Sequence, residues 1–332
     1  MKNKLIVATL TVIVVLSFIL SGCNTQPLMI VYLGDSIAEA IAGMSPLSER
    51  QRYGYYSIIG IRNEYEFRNR AVSGHQTGDL LRIINQEDTD ARMTRTLLKD
   101  ADIIHISILG NDLLLNDIGR LILDIANDDY SLLNSVLDNA RNNFSDIVGV
   151  LREYNPDAVI MFQKVYNPVF EVTTLIRPAV QEELALKGIE PSEYRELAGD
   201  VLDMLNGIID DYLEDNPGAY YIIDAQAEFD RIYQEDTERG RALIFCDDIH
   251  PSNEGHAVIA DLIQAKLEEL NLADKKLAVN NYKKIRKEQL KRMFNDSVDV
   301  KAISRQIDDA RSCGEITEIY FNAIEGKTPD YC

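Results

Sequence analysis

Apolar positions along the chain follow two alternating patterns. Short continuous runs rich in Val, Ile and Tyr occupy residues 28–33, 103–109, 158–165 and 219–223, with a weaker and more polar run at 65–72. Runs of this length without polar alternation predict strands buried on both faces. Between them the apolar residues recur at helical spacing. Residues 132–154 form one such segment and residues 192–213 another, where Tyr194, Leu197, Val201, Leu205, Ile208 and Tyr212 make a single stripe. Pro191 and Ser192 open the second helix, and Asn216-Pro217-Gly218 closes it. A short helical pattern at 37–42 follows the first strand, residues 256–272 read as a final packing helix, and residues 273–332 read as an appended helical segment, Lys-rich at first. Strands alternating with helices predict an α/β fold with a doubly wound parallel sheet of about five strands.

The first residues carry a different pattern. Lys2 and Lys4 precede an uncharged run from Leu5 to Leu20, followed by Ser21, Gly22 and Cys23. A basic start, an apolar stretch and small residues at its end describe an export signal. As a helix the run spans about 24 Å, short of the ~30 Å hydrocarbon core, although an uncleaved anchor is the alternative. Leu20-Ser21-Gly22-Cys23 resembles the lipobox of bacterial lipoproteins. That resemblance implies cleavage before Cys23, lipidation of Cys23, and an extracytoplasmic protein held on a membrane. The expected organisation is a signal at 1–22, a tether at 23–27, one domain at 28–272 and a helical extension at 273–332.

Charge narrows the partners. With 54 acidic and 34 basic residues the chain carries a net charge of -20, and export would remove two lysines and no acid. Such acidity argues against nucleic acid, whose phosphates need a basic face. It also argues against electrostatic docking on anionic lipid. Cys246, Cys313 and Cys332 remain after Cys23. An odd count allows one bridge and one free thiol, with Cys313 and Cys332 the expected pair; three unpaired thiols are the alternative.

Candidate chemistry sits where strands end. Gly34-Asp35-Ser36 closes the first strand, Asn69-Arg70-Ala71-Val72-Ser73-Gly74 the second and Gly110-Asn111-Asp112 the third; Asp247-Asp248-Ile249-His250-Pro251 comes late. Carboxyl ends of parallel strands are where α/β folds bind ligands. Taken singly, each block is equally an N-cap or a turn. Together they supply a serine, a base with a carboxylate three residues away, and donors for an oxyanion. In the order 2-1-3-4-5 the first strand lies between the second and third. The Ser36 N–H, the Gly74 N–H and the Asn111 amide then share one rim. Only four histidines exist, His75, His105, His250 and His256. His256 lies six residues beyond His250, about 240° around a helix, which is poor spacing for a metal pair.

These four blocks, in this order, resemble those of the SGNH/GDSL hydrolases. The resemblance implies a flavodoxin-like sheet, a nucleophile at Ser36, oxyanion donors at Ser36, Gly74 and Asn111, and an acid and base at Asp247 and His250. It also implies hydrolysis of acyl esters, from lipids to acetylated sugars, with no cofactor or metal. Ala71 departs from the pattern, where family members often carry a second glycine. The alternative reading is a non-catalytic surface lipoprotein that binds a glycan or envelope partner on the same fold. Residues 168–188 are expected either as a lid or as a connecting helix. Tyr53, Tyr55 and Tyr56 are expected to line a pocket or to join the core.

Overall fold

The computed structural model describes residues 26–41, 53–294 and 298–324. The expected signal, Cys23 and Cys332 lie outside these residues. Five strands form one parallel sheet: β1 (Met29–Gly34), β2 (Glu66–Asn69), β3 (Ile103–Ser107), β4 (Val159–Gln163) and β5 (Tyr221–Ile223), in the spatial order β2-β1-β3-β4-β5. The register starts at Met29↔Glu66 on one side of β1 and Ile30↔Ile103 on the other. This is the 2-1-3-4-5 order expected from the sequence. The first helices are α1 (Tyr55–Asn63), α2 (Thr77–Asn85), α3 (Thr89–Asp100), α4 (Gly110–Leu114), α5 (Ile118–Ile125), α6 (Ser131–Tyr154) and α7 (Pro178–Leu186). They are followed by α8 (Tyr194–Asp215), α9 (Ala225–Glu235), α10 (Thr237–Ala242), α11 (Asn253–Glu269), α12 (Lys275–Phe294), α13 (Val298–Asp309) and α14 (Cys313–Ile324).

Alternation along the strands builds two cores. Val31, Leu33, Ile104, Ile106, Ile160 and Phe162 face one side and pack on α2, α3, α5, α6 and α8. Ile30, Tyr32, Ile103, Met161 and Ile223 face the other and pack on α1, α9 and α11. Residues of α12, α13 and α14, including Tyr282, Ile307 and Tyr320, belong to this second core. The described residues after 272 are therefore largely helical, as expected, and packed against the sheet-covering helices. Two fully buried arginines mark the junction. Arg62 of α1 meets Asp261 of α11 at 2.6 Å and lies 3.8 Å from the Tyr282 ring. Arg286 of α12 donates to the Tyr282 hydroxyl at 2.7 Å and to Gln289 at 2.9 Å, with the Tyr320 ring 4.4 Å away. Tyr55 and Tyr56 are core residues beside β1.

Several boundaries differ from the sequence expectation. After β1 the helical pattern makes only a single turn: Ile41 N–H donates to Ser36 O and Ala40 N–H to Ile37 O, with Ala40 in the left-handed region at φ 60°. This is a Schellman closure, and it stops the turn at Ala40. β2 ends at Asn69, three residues early, because the Asn69 side chain donates to Ala38 O at 2.7 Å and accepts from Ala71 N at 3.0 Å. The last helix of the expected domain starts earlier, at Asn253, since Ser252 caps it by accepting from Gly255 N at 3.2 Å. The cysteines also differ. Cys313 is a free, buried thiol, not half of a bridge, whereas Cys246 is disulfide-bonded to a partner outside the described residues. Cys313 packs against α1 and α11, near enough to Arg62 and Asp261 to feel both charges.

Candidate active site

The four sequence blocks meet at the carboxyl rim of β1, β2 and β3. Gly34 ends β1 at φ +133°, and a Cβ there would lie 1.8 Å from the Ser107 carbonyl oxygen of β3. Only glycine lets the two backbones approach so closely. Asp35 N–H then donates to that same carbonyl at 3.1 Å, and the chain turns to present Ser36 at the surface of the rim, 9% exposed. Asp35 itself points inward, 3% exposed, and accepts from Ile37 N–H at 3.0 Å. Burial pushes its carboxyl up to about 7; nearby Asp112 adds to this, while the Ile37 N–H and the His250 charge oppose it.

Short polar contacts lock the residues just after the second block, His75 to Thr77, to the third block. Thr77 donates to the Asp112 carboxylate through its hydroxyl at 2.7 Å and its N–H at 3.1 Å, and Asn143 of α6 donates to the Thr77 hydroxyl at 3.1 Å. The Asn111 side-chain amide donates to the His75 carbonyl at 3.0 Å, and Gln76 donates back to Asn111 O at 3.3 Å. Gly74 lies on this loop at φ +80°. Ser73 ties the loop to the first block, donating to Glu39 through its hydroxyl at 2.6 Å and its N–H at 2.9 Å. Leu109, just before the Gly110 block, holds φ 93°, a strained value for a branched residue.

The fourth block is a tight loop pinched shut by an antiparallel bridge between Ile244 and Pro251. Asp247 organises it. One carboxylate oxygen accepts from Ile249 N–H at 3.1 Å and His250 N–H at 2.9 Å, and the other meets His250 Nδ1 at 2.6 Å. Burial alone would push the Asp247 carboxyl up, but these bonds from His250 and the backbone bring it below its ordinary value. A carboxylate on Nδ1 fixes the tautomer with Nε2 as the basic nitrogen. Among the described residues no hydrogen bond joins His250 to Ser36, and such contacts often tighten only around substrate. His105 and His256 are fully buried, and burial lowers both to about 3. Neither takes up a proton near neutral pH.

Three contacts at this loop have no sequence signal. Tyr166, after β4, stacks on Phe229 at 4.6 Å and donates its hydroxyl to Ile249 O at 2.7 Å. Asp248, at φ 61°, accepts from Thr174 N–H at 2.7 Å and the Thr174 hydroxyl at 2.8 Å. Arg241 pairs with Glu171. The segment between β4 and α7 is thus an irregular strap tied to the His250 loop, and only its continuation, α7, is helical. A cavity of about 310 Å³ lies elsewhere, between α12 and α13, lined by Lys283, Lys284, Lys287, Lys291 and Asp308 among others.

The sequence matches the model of the GDSL-like lipase/acylhydrolase family over residues 32–258. The chain belongs to that family, whose members are hydrolases. Among solved structures it is similar to phospholipase A1 from Streptomyces albidoflavus NA297, with 19% identity over 73% of this chain and 100% of that one, at a TM-score of 0.52. It is likewise similar to the lipase Lip_vut3 from a goat rumen metagenome, with 20% identity over 72% of this chain and 96% of that one, at a TM-score of 0.50. No curated protein matches the chain.

Proposed function

We propose that this hydrolase is a serine esterase that cleaves carboxylic acyl esters through Ser36, His250 and Asp247. The observation that carries the reading is the 2.6 Å contact from Asp247 to His250 Nδ1, on the same rim as Ser36. In this scheme Ser36 Oγ attacks the ester carbonyl carbon while His250 Nε2 takes its proton. The C–O bond to the alcohol then breaks, and the imidazolium returns the proton to the leaving oxygen. Water, deprotonated by His250, hydrolyses the acyl-enzyme and restores Ser36. Asp247 holds the tautomer and offsets the imidazolium charge. The tetrahedral oxyanion receives hydrogen bonds from the Ser36 and Gly74 N–H groups and the Asn111 amide. One amide hydrogen of Asn111 engages the His75 carbonyl and aims the group, which leaves the second for the oxyanion.

Nitrophenyl esters of graded acyl length test this reading. Ser36→Ala and His250→Ala each lower kcat by several orders of magnitude without unfolding the protein, and the double variant is no worse than either. His256→Ala, chosen as a control, retains the reaction if it folds. A folded Ser36→Ala protein with a tenth of wild-type kcat or more refutes the assignment.

We further propose that the protein is an extracytoplasmic lipoprotein, anchored through acylated Cys23. The motif Leu20-Ser21-Gly22-Cys23 behind an uncharged run supports this. Two acyl chains hold a protein stably, at about 0.8 kcal/mol per buried CH₂. Wild type should resist a high-salt wash of membranes and leave only in detergent, whereas Cys23→Ala should not incorporate labelled fatty acid.

A further inference from the structure

The amino and carboxyl ends of the sheet face opposite ways, and the two ends of β1 carry different things. At its start, Met29 N–H donates to Asp102 at 2.7 Å and Leu28 O accepts from Glu66 N–H at 3.0 Å, so Leu28 is fixed at the amino rim. Gln26 and Pro27, just before it, are exposed. At its finish, Gly34 leads directly into Asp35 and Ser36 at the opposite rim, where Asn111 also lies at the end of β3. A strand rises about 3.3 Å per residue, so the six residues of β1 separate the two rims by roughly 20 Å. The loops that carry Gly74 and His250 add to that height.

Cys23 is five residues from Leu28, and that stretch reaches at most about 18 Å when fully extended. For the Ser36 rim to press on the bilayer that holds Cys23, Leu28 would have to stand more than ~20 Å above the headgroups. The tether is too short. A body lying on its side would bring the rim nearer, but cleavage removes Lys2 and Lys4 and takes the net charge from -20 to -22, and such a body is repelled by anionic lipid. We infer that the active site opens away from the anchoring membrane and acts on esters that membrane does not contain: esters in solution or carried by a facing structure. This inference rests on the lipid-anchor and esterase readings above and adds a direction to them.

The test uses the full-length protein, extracted in detergent and reconstituted into vesicles, with flotation as the measure of anchoring. The probes are soluble nitrophenyl butyrate and, embedded in the same vesicles, the longest-chain nitrophenyl ester that the detergent-solubilised protein hydrolyses. A variant with twenty Gly/Ser residues inserted after Pro27 is compared, since such a linker spans about 25 Å on average. The expected result is that the insert raises the ratio of embedded to soluble ester turnover at least tenfold and leaves soluble turnover unchanged. An equal ratio in wild type and variant overturns the orientation. Failure to float refutes the anchor, and absence of ester turnover in detergent refutes the esterase; the inference falls with either, and each is read separately.

Discussion

A carboxyl group that is 3% exposed is costly to ionise, and Asp35 is such a group, one residue from Ser36. Its ordinary value of 3.8 rises to about 7 in the folded chain. Between those two values the folded protein keeps a proton that the unfolded chain releases. Stability from this source is complete below about pH 4 and declines as pH rises through 7, by at most roughly 4 kcal/mol. Asp35→Asn removes the titration. The thermal midpoint of wild type should therefore fall more between pH 5 and pH 8 than that of the variant, as scanning calorimetry would read directly. Equal slopes would show that Asp35 keeps an ordinary proton affinity. At this scale the sequence was most informative where partners are neighbours in the chain: Asp247 and His250 are three residues apart and meet. It was silent on Tyr166 and Ile249, 83 positions apart, whose contact exists only once β4 and the His250 loop are side by side.

The strap between β4 and α7 and the Asp247–His250 loop act as one element. Tyr166, Asp248 with Thr174, and Arg241 with Glu171 join them, and the Tyr166 hydroxyl grips the carbonyl immediately before His250. Tyr166→Phe keeps the stacked ring and deletes the grip, at about 1 kcal/mol of stability. Loss of a hydroxyl that acts only by positioning His250 makes kcat for a nitrophenyl ester drop about tenfold with KM nearly constant. An unaltered kcat, or a loss confined to KM, would assign Tyr166 to packing alone. Elements themselves were largely legible, because continuous apolar runs and helical stripes are local. Their ends were less so. Asn69 ends β2 by bonding to the turn after β1, and a contact 31 positions away leaves no mark on a local pattern. The same limit applies to the strap, whose apolar residues follow no period because they divide between two cores, Val169 and Ile176 entering the first and Tyr166 and Phe170 the second.

Across the whole molecule, the family match stops at residue 258, yet the second core continues through Ile324. The consequence is one of timing. Arg62 and Asn63 leave the ribosome early, but Asn63 bonds to Gln264, 201 positions later, and Asn281 reaches the Arg62 carbonyl across 219. Until α12 arrives, the Arg62 guanidinium lacks the Tyr282 ring that covers it, and the part of the second core that α12, α13 and α14 pack against is left uncovered. Closing contacts this distant is slow, because loop entropy is lost before they form. A chain released at Glu269 should bind a dye for exposed apolar surface and unfold without a cooperative transition. A sharp calorimetric peak from that shortened chain would contradict this. On the export route proposed above, such a delay would be an advantage. The helices that complete the second core are made after the rest of it, so a nascent chain would stay open, and able to cross a membrane unfolded, until α12, α13 and α14 are added.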